Sequence, residues 1–479
     1  MASLTDLNNH LIATRKRRRS AQTQPSNSID ILDVIGANLH DHQATMLASF
    51  KRFGHVCCHR RRGKSYALLA HLFDRAWWCP SSTGKYGYFT AVRGQTLNAL
   101  EEQIEQWVPR IPGAKSTKLD QALIVRMPTK LGGTAKIILD GLNHTKQRGA
   151  GWDGLVLDEC AEIMEYKWTA ELYPALTDPV KAGLDALGRR NQFAILSGTP
   201  LGKNWFYRWH LKAKAWALGE PYRTVDKITG KEVFEFDEEW SCTYEPLSKT
   251  KALPKAEVER ARLLIGEEDF LREFELDWNA AAKGSYFGAL LRELRNKGQI
   301  GSFPHIPDLP VHTCWDIGLH GTVIWFFQIV VDRVRFIDAF SHSDDDFVWY
   351  LTIFLPGRRE ALGYRYGTHY FPHDAANREG STDREMEIID ALETHGMGDY
   401  EIVKRHDPLV AGHDAVRWLL PKSEFHEPLC EEELGCMAMY RRKENPALET
   451  MTGVLKDGSD HAVDAYRQAA FALKQAVTA

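Results

Sequence analysis

Residues 54–65, GHVCCHRRRGKS, decide the fold of the N-terminal half. We predict a β-strand over residues 54–58, followed by a basic turn, and Gly63, Lys64 and Ser65 then open a stretch with helical apolar periodicity. A strand, a glycine-containing turn and a helix are the context that a phosphate-binding loop requires, because free amides at a helix start attract phosphate. The segment therefore predicts a binding site for the phosphates of ATP, with Gly63 allowing close backbone approach.

In this prediction Lys64 bridges the β- and γ-phosphates, and the Ser65 hydroxyl ligates Mg²⁺. Arg60 and Arg62 are further candidates for nucleotide contacts. The full motif has glycine where Cys58 stands, so the segment alone leaves open a chance basic turn.

A second segment, LVLDE at residues 155–159, is an apolar strand that ends in two carboxylates. Asp158 is suited to the shell of Mg²⁺, and Glu159 to orienting or deprotonating the attacking water. The alternative is that Asp158 only caps a helix. Together the two segments predict an ATPase.

A third strand, within ILSGTP at residues 195–200, ends in small hydroxyl residues. We expect Ser197 and Thr199 to sense the γ-phosphate, although such a sequence also suits an ordinary turn. Gln43 precedes the first strand and is a candidate to hydrogen-bond adenine; an exposed helix position explains it equally well.

An arginine finger is also expected in such a site. Arg148, in KQRG at residues 146–149, is our candidate for this role, from the same or an adjacent subunit. Arg60 and Arg62 compete for it.

The fold class predicted for the whole chain is α/β. Short β-rich runs alternate with helical stretches from about residue 30, which is typical of a mostly parallel sheet with crossover helices. The predicted strands are 54–58, 86–90, 135–140, 154–157 and 193–196, with helices at 66–78 and 96–107.

The C-terminal part begins differently. Strands predicted at 311–315, 321–330 and 334–339 form an antiparallel meander, with a helix at 347–354, a strand at 368–371 and helices at 381–393 and 461–477. We expect a tail at 1–28, an ATPase core at 29–203, a small lid or linker subdomain at 204–278, a linker at 279–304 and a second domain at 305–479.

Acidic residues recur at strand ends and on the last helix of this second domain, namely Asp316, Asp374, Asp460 and Asp464. Such carboxylates can hold two divalent ions that activate water for phosphodiester cleavage. Hard oxygen ligands favour Mg²⁺ or Mn²⁺. The pattern therefore predicts a metal-dependent nuclease.

Less specific explanations exist for some acidic residues. Asp460 suits a helix cap and Asp464 a solvated first-turn position. Residues 344–346, three aspartates, are better explained as a cap of the following helix. A zinc site at His426, Cys430 and Cys436 is disfavoured, because the spacing fits no common pattern.

Composition places the chain among soluble globular proteins of two or three domains, with 479 residues, 44% of them hydrophobic and 26% charged. No apolar run suggests a membrane span or a signal peptide, so we expect the cytoplasm and no membrane partner. Scattered cysteines predict reduced thiols.

The net charge of −4 hides a basic run at residues 15–19, which is typical of an arm that touches nucleic acid or of a solvated tail.

Over roughly residues 30 to 475, the order of these motifs resembles the large terminase subunit of tailed bacteriophages. The resemblance implies a RecA-like (ASCE) P-loop ATPase followed by a ribonuclease H-like nuclease. Lys64 and Ser65 match the family's phosphate loop, Asp158 and Glu159 its catalytic pair, and 197–199 its coupling segment. Asp316, Asp374 and Asp460 match its nuclease triad. Arg60 supplies an arginine that the family often shows early in the loop.

The resemblance further implies the partners of a packaging motor. These are double-stranded DNA, a small terminase subunit, the portal protein of a procapsid and a homo-oligomeric ring of this chain, all in the host cell cytoplasm.

Two other classes stay open. A DNA helicase or translocase without nuclease activity would carry a second RecA-like domain after residue 200, where acidic strand ends stand instead. A non-catalytic capsid or scaffold protein would have no reason to pair Lys64 with Asp158 and Glu159.

Overall fold

The computed structural model describes residues 30–92, 95–119, 122–142, 151–226, 231–280, 284–318, 321–342, 347–373, 375, 390–404, 409–445, 450–455 and 459–478. Its strands are β1 Phe53–Cys58, β2 Thr83–Thr90, β3 Lys115–Leu119, β4 Ala122–Pro128, β5 Thr134–Gly141, β6 Gly154–Leu157, β7 Phe193–Gly198, β8 Tyr222–Val225, β9 Glu232–Glu235, β10 Trp240–Glu245, β11 Ile300–Gly301, β12 Val311–Ile317, β13 Thr322–Val330, β14 Arg333–His342, β15 Tyr366–Pro372, β16 Asp399–Val403, β17 Ser423–His426, β18 Arg442–Asn445 and β19 Thr450–Val454.

The α-helices are α1 Ile31–Ile35, α2 Asp41–Ser49, α3 Lys64–Trp77, α4 Gln95–Trp107, α5 Trp205–Ala217, α6 Leu247–Thr250, α7 Lys255–Ile265, α8 Glu267–Glu273, α9 Gly288–Asn296, α10 Phe347–Trp349, α11 Leu355–Leu362, α12 Leu409–Leu419, α13 Glu427–Met439 and α14 Asp460–Thr478. Short 3-10 or π turns lie at Val108–Arg110, Cys160–Glu162, Lys167–Leu172, Pro174–Leu176, Tyr350–Phe354 and Leu420–Lys422.

In the described part of the N-terminal half, eight strands form one sheet in the order β10-β1-β7-β6-β2-β5-β4-β3. The strands from β10 to β5 run parallel, and β4 and β3 add an antiparallel edge. All six residues of β1 are buried, which explains why its sequence is a continuous apolar run. The predicted parallel sheet is thus confirmed, and the ends of β1, β6 and β7 meet at one edge.

Helices cover both faces of this sheet. On one face α3 packs a row of apolar side chains, including Leu68, Leu69 and Leu72, against the strands. On the other face lies an aromatic core with Trp152, Trp168, Phe206 and others. The sheet is therefore held rigidly between two cores, which fixes the loops at its edge.

Residues 204–278, predicted as a small lid or linker subdomain, contribute instead to the main sheet and to its aromatic core. Within 204–278, β10 is the edge strand of the main sheet and pairs with β1 over its whole length. The helix α5 packs on the aromatic face, where Phe206 and Trp216 are buried. β10 pairs with β1, a strand far earlier in the sequence. Local sequence patterns do not reveal such a long-range contact, so the position of β10 in the main sheet could not be predicted.

The linker predicted at 279–304 is also partly wrong, because Leu291 and Leu294 of α9 pack in the second core and Ile300 of β11 pairs with Phe425 of β17. The remaining predicted boundaries stay predictions.

The second sheet has the order β11-β17-β14-β13-β12-β15-β16 among the described residues. Strands β12, β13 and β14 form the predicted antiparallel meander, and β15 and β16 continue parallel to β12. In chain order the central five strands read 3-2-1-4-5, which is the ribonuclease H-like arrangement. The helix α14 packs across them, where the Trp325 indole donates to the Ala462 carbonyl at 2.9 Å.

The two halves touch through α5 and α13. Lys203, just before α5, lies 2.7 Å from Glu431 and 3.2 Å from Glu427. Arg208 forms ion pairs with Glu432 and with Glu165. This contact lies outside the 279–304 segment that the sequence predicted as the linker.

Several sequence predictions lie outside the described residues. These are the tail at 1–28, the turn at 229–230, the aspartates at 344–346 and most of the helix at 381–393. The helix predicted at 347–354 starts at Phe347 but passes through a π turn and ends at Leu362. Each of the eight cysteines is a free thiol, as expected. In the described segments no helix has both the length and the apolar character needed to cross a membrane.

Candidate functional site

The first candidate site lies at the turn between β1 and α3. Gly63 precedes α3 with a φ of 74°, in the left-handed region that glycine adopts at no cost, and Arg61 has a φ of 66°. A Cβ at position 63 would lie 2.4 Å from the Gln43 amide nitrogen. Glycine is therefore required here both by the backbone conformation and by the close approach of Gln43.

Gln43 is buried beneath this turn rather than exposed, so the exposed alternative is wrong. Its side-chain amide donates to the Gly63 carbonyl at 2.9 Å, and its carbonyl accepts from the His40 amide at 2.8 Å. The amide nitrogen of Gln43 thus joins α2 to the phosphate loop, and its carbonyl oxygen caps the start of α2. A contact with adenine stays a prediction.

Lys64 and Glu159 face each other across the site, with the ammonium 3.0 Å from the carboxylate. Burial opposes the charge on Lys64, but the carboxylates of Glu159 and Asp158 outweigh it and raise the pKa of Lys64. Burial also raises the pKa of Glu159, against the opposite effect of Lys64. The Glu159 side chain is 33% exposed, so water can reach this carboxylate, and its raised pKa suits it to accept a proton.

Asp158 is fully buried and held by three donors. Ser65 and Tyr88 donate hydroxyl hydrogen bonds to one carboxylate oxygen at 2.6 and 2.7 Å, and the Glu159 amide donates to the other at 3.1 Å. Burial alone would raise the pKa of Asp158, but Lys64 and these hydroxyls lower it. The carboxylate is therefore charged and lies directly beside the Ser65 hydroxyl, an oxygen pair that fits Mg²⁺.

Tyr88 was not recognised from the sequence. It lies on β2, which neighbours β6, and its ring is buried in the sheet. Nothing in the local pattern around residue 88 distinguishes it from other aromatic core residues.

The coupling segment reaches the same edge. Leu157 and Leu196 are paired in register, so Asp158 and Ser197 follow at the same level, and Ser197 is buried. The buried Ser197 hydroxyl has no hydrogen-bond partner among the described residues. Thr199 lies just after β7 and is half-buried.

The arginine candidates fall in different places. Arg62 is ion-paired with Glu245 at 2.6 Å, at the end of β10. Arg60 has an exposed side chain, while its backbone amide donates to the Glu273 carbonyl at 2.8 Å. Arg148 lies outside the described residues. The identity of an arginine finger therefore stays a prediction.

The second candidate site lies where β12 ends against the start of α14. Asp316, near the end of β12, accepts a hydrogen bond from the His461 Nδ1 at 2.7 Å. That hydrogen bond is the largest cause that raises the pKa of His461, and the charges of Asp316, Asp460 and Asp464 act in the same direction. Three acidic residues predicted from the sequence therefore lie around His461. His461 itself was not predicted as a site residue.

These acidic residues have different surroundings. Asp460 is the first residue of α14 and is 4% exposed, which is unusual for a helix-capping carboxylate. Asp464, one turn later, forms an ion pair with Arg467 at 3.1 Å. The oxygen donors of Asp316 and Asp460 fit a hard divalent ion, and Asp464 is already paired on its own helix.

Asp374 lies outside the described residues. The strand that precedes it, β15, ends at Pro372 and runs parallel beside β12. Its placement relative to Asp316 stays a prediction.

Two residues of the disfavoured zinc pattern form hydrogen bonds with the backbone instead. His426 accepts from the Phe303 amide at 3.1 Å, and the Cys430 thiol donates to the Phe336 carbonyl at 3.6 Å.

Comparison with known proteins gives structural matches only. No family model and no curated protein matches this sequence. Chains of solved structures do match, and among them are large terminases, or domains of them, from several phages. The ATPase domain of the Thermus phage P74-26 large terminase has 18% identity over 52% of this chain and 98% of that chain, with a TM-score of 0.39.

The large terminase of the thermophilic bacteriophage D6E, in complex with ADP, has 14% identity over 92% of this chain and 98% of that chain, with a TM-score of 0.35. The large terminase of bacteriophage HK97 has 11% identity over 91% of this chain and 95% of that chain, with a TM-score of 0.42. The matches include the family that the order of motifs resembles.

Proposed function

We propose that this chain is the large terminase subunit of a tailed bacteriophage, an ATP-driven translocase for double-stranded DNA joined to a metal-dependent endonuclease. The observation that carries the proposal is the presence of two separate acidic clusters, one on each sheet. Lys64, Asp158 and Glu159 form the first, and Asp316 with Asp460 belongs to the second.

In the first cluster the residues are suited to ATP hydrolysis. Lys64 binds the β- and γ-phosphates, Ser65 and Asp158 hold Mg²⁺, and Glu159 orients water and accepts its proton. Bound Mg²⁺ neutralises charge on the phosphates. Lys64 pairs with Glu159, and the phosphates of ATP would compete for the same ammonium, so ATP binding would release Glu159 to face the water.

In this proposal, two sets of contacts couple ATP hydrolysis at the first cluster to movement of the protein. Ser197 lies near the end of β7, the strand next to β6, and Thr199 follows it. On the other side of β1, Glu245 of β10 holds Arg62, and Thr250 contacts the His59 ring at 3.0 Å. A change in the phosphate loop would therefore displace residues 240–250, which comprise the edge strand β10 and helix α6.

In the second cluster the carboxylates of Asp316, Asp374 and Asp460 would hold two Mg²⁺ or Mn²⁺ ions. Two such ions polarise the phosphodiester and supply the attacking hydroxide. His461 would orient the Asp316 carboxylate through its 2.7 Å hydrogen bond.

The remaining partners follow from the same proposal. Double-stranded DNA would be gripped through its phosphates, so that any sequence can be moved and binding weakens steeply with salt. A homo-oligomeric ring would dock on the portal protein of a procapsid in the host cytoplasm, with a small terminase subunit selecting viral DNA.

The test is an assay of the purified chain for three activities. We expect ATP hydrolysis, linearisation of a plasmid that requires Mg²⁺ or Mn²⁺, and no strand separation of a forked duplex. Unwinding without cutting would favour the helicase alternative, and absence of both hydrolysis and cutting would favour a capsid or scaffold protein.

A further inference from the structure

A group of metal-binding side chains lies outside both proposed active sites. His55 on β1 and Cys242 on β10 are paired directly across the two parallel strands, so their side chains lie on the same face of the sheet. His210 lies on α5, which packs over this face. Three elements from distant parts of the chain therefore bring two imidazoles and a thiol together.

The ligand atoms of these residues all lie within 4.8 Å of one another. The Cys242 sulfur is 3.8 Å from the His210 Nδ1, and the two imidazole centroids are 5.1 Å apart. Zinc bonds of about 2.0–2.1 Å to nitrogen and 2.3 Å to sulfur require ligand atoms roughly 3.3–3.8 Å apart in a tetrahedron. The sulfur and His210 already meet this requirement, and small side-chain rotations close the remaining gap.

His55 supplies a second, independent observation. Its ring is fully buried, and Nε2 lies 3.2 Å from the Phe206 carbonyl. Its Nδ1 has no hydrogen-bond partner among the described residues. When Nε2 donates to a backbone carbonyl, Nδ1 carries a free lone pair, which is the arrangement of most metal-binding histidines.

The surroundings also suit a metal ligand set. Burial lowers the pKa of His55 well below its usual range and that of His210 to about 4, so both rings are neutral near pH 7, and it raises the pKa of the Cys242 thiol to about 12, so a metal ion must displace the thiol proton to bind. Aromatic rings enclose the group, with Phe206 stacked on His55 and Trp278 stacked on His210. Neutral nitrogens and a sulfur in an apolar setting favour Zn²⁺ over the Mg²⁺ expected at the two proposed active sites.

We propose that His55, His210 and Cys242 supply three of the four ligands of a Zn²⁺ site, with a water molecule completing the tetrahedron. Bound Zn²⁺ would join the edge strand β10 and the helix α5 to β1, the strand that leads into the phosphate loop. This proposal does not depend on whether the chain is a terminase. The zinc site contains none of the residues assigned to ATP hydrolysis or to DNA cleavage.

The experiment uses the full chain, stripped with a chelator and reloaded with Co²⁺ as a spectroscopic probe or with Zn²⁺. We expect a sulfur-to-cobalt charge-transfer band that needs one equivalent of Co²⁺ per chain and persists in excess Mg²⁺. The band should be lost in Cys242→Ser and retained in Cys436→Ser, a matched control because both thiols are partly exposed. It should also be retained in Asp316→Ala, which removes the proposed nuclease ligand.

A second readout covers the case in which Cys242→Ser fails to fold. In the wild-type chain, Zn²⁺ should slow alkylation of Cys242 at least tenfold, as measured by mass spectrometry of its peptide, and leave Cys436 unchanged. Absence of the cobalt band together with unprotected Cys242 would overturn the proposal. A band that survives in folded Cys242→Ser would overturn it as well, since another thiol would then be the ligand.

Discussion

The ammonium of Lys64 lies 3.0 Å from the carboxylate of Glu159. The residue proposed to bind phosphate and the residue proposed to activate water therefore form an ion pair with each other. The pair is neutral as a unit, and one carboxylate oxygen of Glu159 is engaged by it. Phosphate binding would draw Lys64 away from this contact.

Glu159→Gln should separate nucleotide binding from hydrolysis. The amide removes the proton acceptor but keeps the shape, so we expect ATP hydrolysis to fall at least 100-fold, within the range that a general base supplies. Nucleotide affinity should stay equal or rise several-fold, because Lys64 loses its charged competitor. Fluorescent ATP titration and phosphate release measure both. Unchanged hydrolysis in this variant would remove Glu159 from the mechanism.

Gln43→Ala should weaken the phosphate loop. Both side-chain hydrogen bonds, to Gly63 and His40, would be lost, although the Gly63 carbonyl would still accept from the Ala67 amide. Such losses cost about 1–3 kcal/mol. We expect a five- to 100-fold rise in the KM for ATP with a smaller change in kcat, measured by steady-state ATPase kinetics. A matched control is Gln103→Ala, on α4, which should leave KM as it is.

His461→Ala should impair DNA cleavage without affecting ATP hydrolysis. Asp316 would lose its 2.7 Å hydrogen bond, and outer partners of metal ligands are typically worth 10- to 100-fold in affinity or activity. We expect that loss in plasmid cleavage at low Mn²⁺, with partial rescue at high Mn²⁺. His461→Asn keeps a donor and should be less impaired. Equal loss in both variants at all metal concentrations would indicate a purely structural role.

The contact between the two halves gives a further prediction. Arg208 bridges Glu165 and Glu432, and Lys203 binds Glu427 and Glu431. Arg208→Ala should lower the free energy of unfolding by about 1–3 kcal/mol, because two acceptors lose a charged donor. It should also increase protease cleavage between the halves.

A double-mutant cycle with Glu432→Ala measures the coupling of this pair directly. We expect a coupling energy above about 0.5 kcal/mol that decreases with salt. Additive effects of the two substitutions would contradict an energetic link between the halves.

Much of the fold could be predicted because its signals are local. The motif of Lys64 and Ser65 and the pair of Asp158 and Glu159 are contiguous in sequence, and each follows an apolar strand. The meander that carries Asp316 was likewise visible as alternating short strands.

What could not be predicted depends on contacts between distant segments. Tyr88 reaches Asp158 from a neighbouring strand, His461 reaches Asp316 from the last helix, and Cys242 meets His55 through a strand assigned to a lid. Gln43 is polar and lies on a short helix, so exposure was a reasonable expectation. Its burial follows only from the position of the phosphate loop above it.

The most direct test of the account is a paired assay of ATP hydrolysis and plasmid cleavage by wild type, Lys64→Ala and Asp316→Ala in Mg²⁺ or Mn²⁺. The account predicts that Lys64→Ala loses hydrolysis and still cuts, whereas Asp316→Ala loses cutting and still hydrolyses ATP. Loss of both activities in either folded variant, or a wild-type chain that cuts DNA with neither metal, would contradict the claim of two separate active sites.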